Sequence, residues 1–206
     1  PADTSGVIYY TLNGSDPRDF GTGTVSPAAH DYSGSITIDG PTVVKARIRL
    51  DSASSALTEA VFSVPSHYDA LQVTELMYNP VGGRALEFIE MRNFGTTVVA
   101  LSGAAFVDGI EFEFPTGSSV AAGDFVVLVS DGERFSERYP GVSFAGVYSG
   151  ALSNSGERVT LVDILVNEIF SFHYDDDNGW PISADGFGSS LVVDVPGSKL
   201  NDPRSW

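Results

Sequence analysis

The stretch that most constrains this chain is residues 71–93, LQVTELMYNPVGGRALEFIEMRN, two apolar arms joined by a turn built from Asn79, Pro80, Gly82 and Gly83. In the first arm Leu71, Val73 and Met77 alternate with Gln72, Thr74 and Leu76; in the second Phe88 alternates with Ile89 and the acids Glu87 and Glu90. Period-two patterning broken by Asn-Pro and Gly-Gly predicts a hairpin-like strand pair. Both faces of the pair carry apolar residues, which places it inside a sandwich rather than at a solvated edge.

The rest of the second half repeats the pattern: apolar runs each end in a glycine-containing turn, at Asp108-Gly109, Pro115-Thr116-Gly117, Ala122-Gly123-Asp124 and Asn154-Ser155-Gly156. Turns at that spacing mark a β-sandwich or barrel. The uniformly apolar Phe125–Val129 reads as a central strand buried on both sides, and the segment holding Phe135 and Tyr139 reads as a loop. In the first half, VIYYTL at 7–12 leads into the turn formers Asn13, Gly14, Ser15, Asp16 and Pro17. Strands are expected at 35–38, 43–50 and 58–64. In VVKARIRL the side chains of Val44, Ala46, Ile48 and Leu50 are expected to face a core, with Lys45, Arg47 and Arg49 toward water. Of Tyr9 and Tyr10, which point to opposite faces, one is expected in the core.

Composition narrows the function classes. The 206 residues carry 27 acids against 11 bases, a formal charge of −16, without any block of basic residues. Phosphate backbones would be repelled, so no nucleic-acid partner is expected. With no cysteine, disulfides, thiolate catalysis and cysteine-held zinc are excluded. No apolar run approaches the ~20 residues that span a bilayer, so this fragment does not insert in a membrane. Starting at Pro1 and ending at Trp206, the chain reads as a piece of a longer polypeptide.

In order, IYYTLNGSDPR, VSPAAHDYSGSITI, VVKARI and TEAVFSV resemble the Ig-like module found C-terminal to the catalytic domain of chitobiases and β-hexosaminidases. The likeness covers about 1–64. It implies that one or two strands preceding the YYT strand in that family are missing, leaving an exposed edge. FIEMRN at 88–93, LSGAAFVDG at 101–109, FEFPTGSSVAAGDFVVLVSD at 112–131 and LSNSGERVTLVD at 152–163 resemble the lamin-tail domain, over about 71–191, and more closely its bacterial branch. One departure is Ala105, where the resemblance implies a buried tryptophan; the smaller residue implies a cavity or compensating packing. The expected fold is therefore all-β, two tandem Ig-like β-sandwich domains: a chitobiase C-terminal-type module at 1–66, truncated at its N-terminus, and a lamin-tail domain at 69–206. Their boundary is placed near 65–69.

Candidate chemistry is sparse. Asp175, Asp176, Asp177 and Asp185, in HYDDDNGWPISADGFG, are the candidate calcium ligands, since hard cations collect carboxylate and carbonyl oxygens; the spacing is not that of an EF-hand, and the alternative has the acids solvated above Trp180 and Pro181. Glu75, Glu87 and Glu90 could converge as an acid–base pair, against strand-face acids paired with Arg84, Arg92 or Arg158. His30, His67 and His173 lack metal-ligand spacing, and no nucleophile elbow is present. The expected function is non-catalytic: an adhesion, structural or protein-interaction segment of a larger secreted or surface-attached bacterial protein, its partners being other domains of that protein and a protein or extracellular polymer. A carbohydrate- or polymer-binding module with a calcium-supported loop is the alternative, and part of a hydrolase the next. No cofactor is expected, with calcium at the 175–185 loop as the alternative.

Overall fold

The computed structural model describes residues 6–38, 40–62 and 67–206. The first module contributes β1 (Val7–Thr11), β2 (His30–Asp31), β3 (Thr42–Leu50), β4 (Ala53–Ser54) and β5 (Thr58–Phe62). The second contributes β6 (Leu71–Met77), β7 (Phe88–Asn93), β8 (Val99–Ala100), β9 (Ala105–Asp108), β10 (Ile110–Glu113), β11 (Ser119–Val120) and β12 (Phe125–Val129). Helix α1 (Gly132–Arg138) follows, then β13 (Gly146–Val147), β14 (Ser149–Gly150), β15 (Glu157–Val162), β16 (Glu168–Tyr174) and β17 (Leu191–Val192). The chain is all-β, as its turn spacing predicts.

In the second module the predicted hairpin is the centre of one sheet. β6 and β7 pair antiparallel from Leu71↔Asn93 to Met77↔Phe88, with a bulge between Val73 and Glu75. The sheet runs β13-β12-β7-β6-β17, and a second sheet, β14-β10-β9-β15-β16, lies across it. Between them Leu76, Ile89, Met91 and Leu128 meet Phe106, Val159, Leu161 and Phe172 in one core. A smaller core on the outer side of the first of these sheets holds Met77, Phe88, Val127, Val129 and Phe135. That second cluster explains why Val126–Val129 are buried on alternate faces alike; only Phe125, at the strand's start, is exposed.

The cover for that outer face is α1, in the segment read from sequence as a loop. Asp131 caps it, its side chain accepting from the Glu133 and Arg134 amides at 3.0 and 3.1 Å, which satisfies two of the free N–H groups at the helix start. With seven residues and one buried side chain, Phe135, the helix is too short to show a 3.6-residue period. Ala105 also departs from expectation: it is half-exposed on β9, and Ala104 is the buried neighbour, so no cavity follows from its small size. Gly156 is required where it stands, since at φ +80° a Cβ would sit 2.5 Å from the Tyr174 carbonyl oxygen.

The first module is built differently from its expectation. Residues 35–38 form no strand, and the strand expected at 58–64 is described from Thr58 to Phe62; residues 63–66, which include its expected end and the start of the boundary expected near 65–69, lie outside the described residues. Its five strands make one sheet in the order β2-β1-β3-β4, with β5 also on β3. Among the described residues, none of the buried aliphatic or aromatic core side chains other than proline precedes Leu71. Alternation along VVKARIRL holds, but Val44, Ala46 and Ile48 are only half-buried and Leu50 is exposed, because no second layer among the described residues covers them. Neither Tyr9 nor Tyr10 is buried.

Candidate functional site

The groups able to do acid–base chemistry do not converge. His30 is on β2, His67 precedes β6 and His173 is on β16. Glu75 and Glu90 do face each other across β6 and β7, but each has its own hydroxyl: Ser190 donates to Glu75 at 2.5 Å and Thr74 to Glu90 at 2.6 Å. Burial pushes the Glu75 carboxyl above its usual range. Neither they nor Glu87 form an ion pair with Arg84, Arg92 or Arg158 among the described residues. The guanidinium of Arg92 instead lies over the rings of Phe94 and Phe125, 5.0 and 4.8 Å from their centroids.

Glu87 is a structural clamp that the sequence does not reveal. It is 2% exposed, and its Oε2 accepts from the Tyr148 hydroxyl at 3.2 Å and from the Leu152 amide at 2.9 Å. Glu157 repeats the arrangement beside it, accepting from the Ser153 amide at 2.7 Å and the Tyr174 hydroxyl at 3.1 Å. Together the two carboxylates hold the loop between β14 and β15 against the core. Burial raises Glu87, opposed by the Leu152 amide and Tyr148; burial together with the facing carboxylates raises both phenols. Asn93 pins the other end of the sandwich, fully buried, donating to the carbonyls of Thr97 and Val120 at 2.8 and 2.9 Å and accepting from the Gly95 amide.

The four acids picked out for calcium lie at one end of the second module. Asp175 accepts from the amides of Asp176 and Asp177. Asp185 accepts from the Asn79 side chain at 2.7 Å, while the Gly186 amide donates to the Asn79 carbonyl. This latch ties the loop after β16 to the turn of the opening hairpin, 106 residues away in sequence. Burial first, then the charges of Asp185, Asp176 and Asp175, push the Tyr78 phenol up to about 12. Trp180 and Trp206 support the loop, half-buried against the core with ring centroids 6.1 Å apart. Among the described residues no three acidic or histidine side chains are grouped to hold a metal ion. Nor is any helix there long and apolar enough to cross a membrane.

A surface of another kind lies on the first sheet. The register places Ile8 opposite Ile48, Tyr10 opposite Ala46 and His30, and Thr42 opposite Phe62. By alternation these residues, with Val44, Leu50, Ala60 and Tyr32, share one face, on which no acid, lysine or arginine stands among the described residues. Tyr10 packs on His30 and Tyr32, at 5.5 and 6.4 Å between centroids. Ile8, Leu50, Phe62 and Tyr32 are 38%, 46%, 44% and 49% exposed. The other face carries the charges and is covered by the loop after β1. There Asp16 takes both Nε and Nη2 of Arg47, at 2.8 and 2.6 Å, and Arg49 donates to the Gly23 carbonyl at 3.0 Å. A cleft of about 260 Å³ adjoins the far end of the apolar face at Leu12, Ile38 and Thr42, and reaches Val98, Ser102 and Thr116 of the second module; among the described residues no acidic, basic or histidine side chain lines it.

The two packed sheets of the second module, with a core clamped by Glu87 and Asn93, define an immunoglobulin-like module, a non-catalytic module type. Residues 65–176 match the family model of the Lamin Tail Domain, and the chain belongs to that family. Residues 2–61 match a second model, Fn3 associated, also of a non-catalytic module type and consistent with the chitobiase-type module expected there. Searches among curated proteins and among solved structures return no match.

Proposed function

We propose that this chain is a structural, adhesion or protein-interaction segment of a larger secreted or surface-attached bacterial protein, acting by holding partners rather than by converting a substrate. The observation that carries the reading is the apolar face of the first sheet, which no described layer covers and on which no described acid, lysine or arginine stands. A chain with a net charge of −16 that leaves one described sheet face free of carboxylates presents a contiguous apolar patch, and such patches mark interaction sites. The wide separation of His30, His67 and His173, and the engagement of Glu75, Glu87 and Glu90 in hydrogen bonds of their own, support a role without catalysis. A carbohydrate platform would ask for a flat row of exposed rings; Trp180 and Trp206 are half-buried and tilted 38° to each other.

Hydrogen exchange of residues 7–62, measured on this chain alone and within the longer surface-attached protein, tests the reading. Slower exchange of β1, β3 and β5 in the larger protein is expected, as their face becomes covered. Equal exchange in both settings would overturn it.

A further inference from the structure

We propose that the partner of the apolar face is a second copy of this chain, packed face to face so that two first sheets complete one sandwich. The proposal rests on the interaction reading above and names the occupant. Three observations lead to it. Among the described residues the loop carrying Asp16 and Gly23 packs on one side of the sheet through Arg47 and Arg49, leaving that side open in part at Val7 and Val61, whereas no layer packs on the apolar side. Among the described residues the free side bears no acid, lysine or arginine, His30 being its ionisable side chain, and on a chain with 27 acids against 11 bases the lack of carboxylates there is what lets two like-charged copies approach. In a two-fold interface the same patch meets itself, so a carboxylate on this face would be buried twice, once from each copy.

Shape and area agree. Ala46 stands at the middle of β3 between Tyr10 and Thr58, a shallow point flanked by Val44 and Ile48, so two sheets can close to the ~10 Å of sandwich packing. Four side chains exposed by 38–49% and their half-buried neighbours offer roughly 500 Å² per copy, or roughly 1,000 Å² across the pair, the lower bound for a specific interface. An interface of that size predicts a weak, reversible association.

Sedimentation velocity of the intact chain from about 1 to 200 µM is the test, with circular dichroism to confirm folding of each variant. A concentration-dependent dimer is expected. Phe62→Asp should raise its dissociation constant by roughly tenfold or more, and Val61→Asp, one residue away on the opposite face, by less than about twofold. If Phe62→Asp does not fold, Leu50→Lys at the exposed end of β3 takes its place. A monomer at every concentration, or a dimer indifferent to both face variants, overturns the proposal. In that event an apolar dye separates the two readings. Dye bound by the monomer and lost in the face variant leaves the interaction surface standing with a different partner, and no dye binding removes both.

Discussion

Replacing Glu87 by alanine offers a direct measure of how the second sandwich is held. The side chain is 2% exposed, and its Oε2 is the acceptor for both the Tyr148 hydroxyl and the Leu152 amide. Truncation leaves two buried donors without a partner, each worth about 1–3 kcal/mol, and relieves the burial of a carboxylate, which returns part of that. The net expected loss is about 2–4 kcal/mol. Because both bonds land on one oxygen, Glu87→Gln keeps an acceptor in place and should lose about 1 kcal/mol or less at neutral pH. Urea unfolding followed by tryptophan fluorescence reads the right module, since Trp180 and Trp206 both lie in the second. A pH series adds an independent check. The folded-state pKa of Glu87 is raised by burial, so the native state binds more protons than the unfolded one between the unfolded and folded values. The stability of the native chain relative to its Gln variant should therefore fall as pH climbs through that window. A loss below about 0.5 kcal/mol for Glu87→Ala, set against the 1–3 kcal/mol cost of one orphaned donor, would refute the clamp.

Asn93→Ala, which orphans the Thr97 and Val120 carbonyls and the Gly95 amide, should cost about 2–4 kcal/mol by the same urea assay; a near-neutral result would contradict its role as a pin. Gly156→Ala forces a side chain at positive φ against the Tyr174 and Asp175 backbone, and a melting temperature lower by several degrees is expected by calorimetry. Asp16 is held at about 2 chiefly by its hydrogen bonds to Arg47, so its contribution is present above the ordinary carboxylate range and is lost as pH falls from about 4 toward 2. With its side chain 37% exposed that contribution is below about 1 kcal/mol, and Asp16→Asn should shift the first module's acid unfolding only slightly. Calcium added to chelator-stripped protein should leave the melting temperature within about 1 °C, because binding that shifts stability needs ligands brought together in the native state. A larger rise that disappears in Asp175→Asn with Asp185→Asn would show a cation site after all.

The period-two pattern and the glycine turns determined the all-β class, the opening hairpin and the central place of β12, because strand faces and turn conformations are set by residues near in sequence. The order of motifs such as LSNSGERVTLVD carried the lamin-tail resemblance for the same local reason. Partners of the charged groups were decided only by the tertiary structure. Glu87 looked like a strand acid until the loop at Tyr148–Leu152 arrived from across the fold, and the latch between Asn79 and Asp185 joins residues 106 positions apart. Helix α1 stayed hidden because two turns hold too little period to read. The alternation of Val44, Ala46, Ile48 and Leu50 stated correctly that these side chains share a face. Whether that face is a core depends on a second layer, and a strand pattern specifies the side an apolar residue points to, never what comes to cover it.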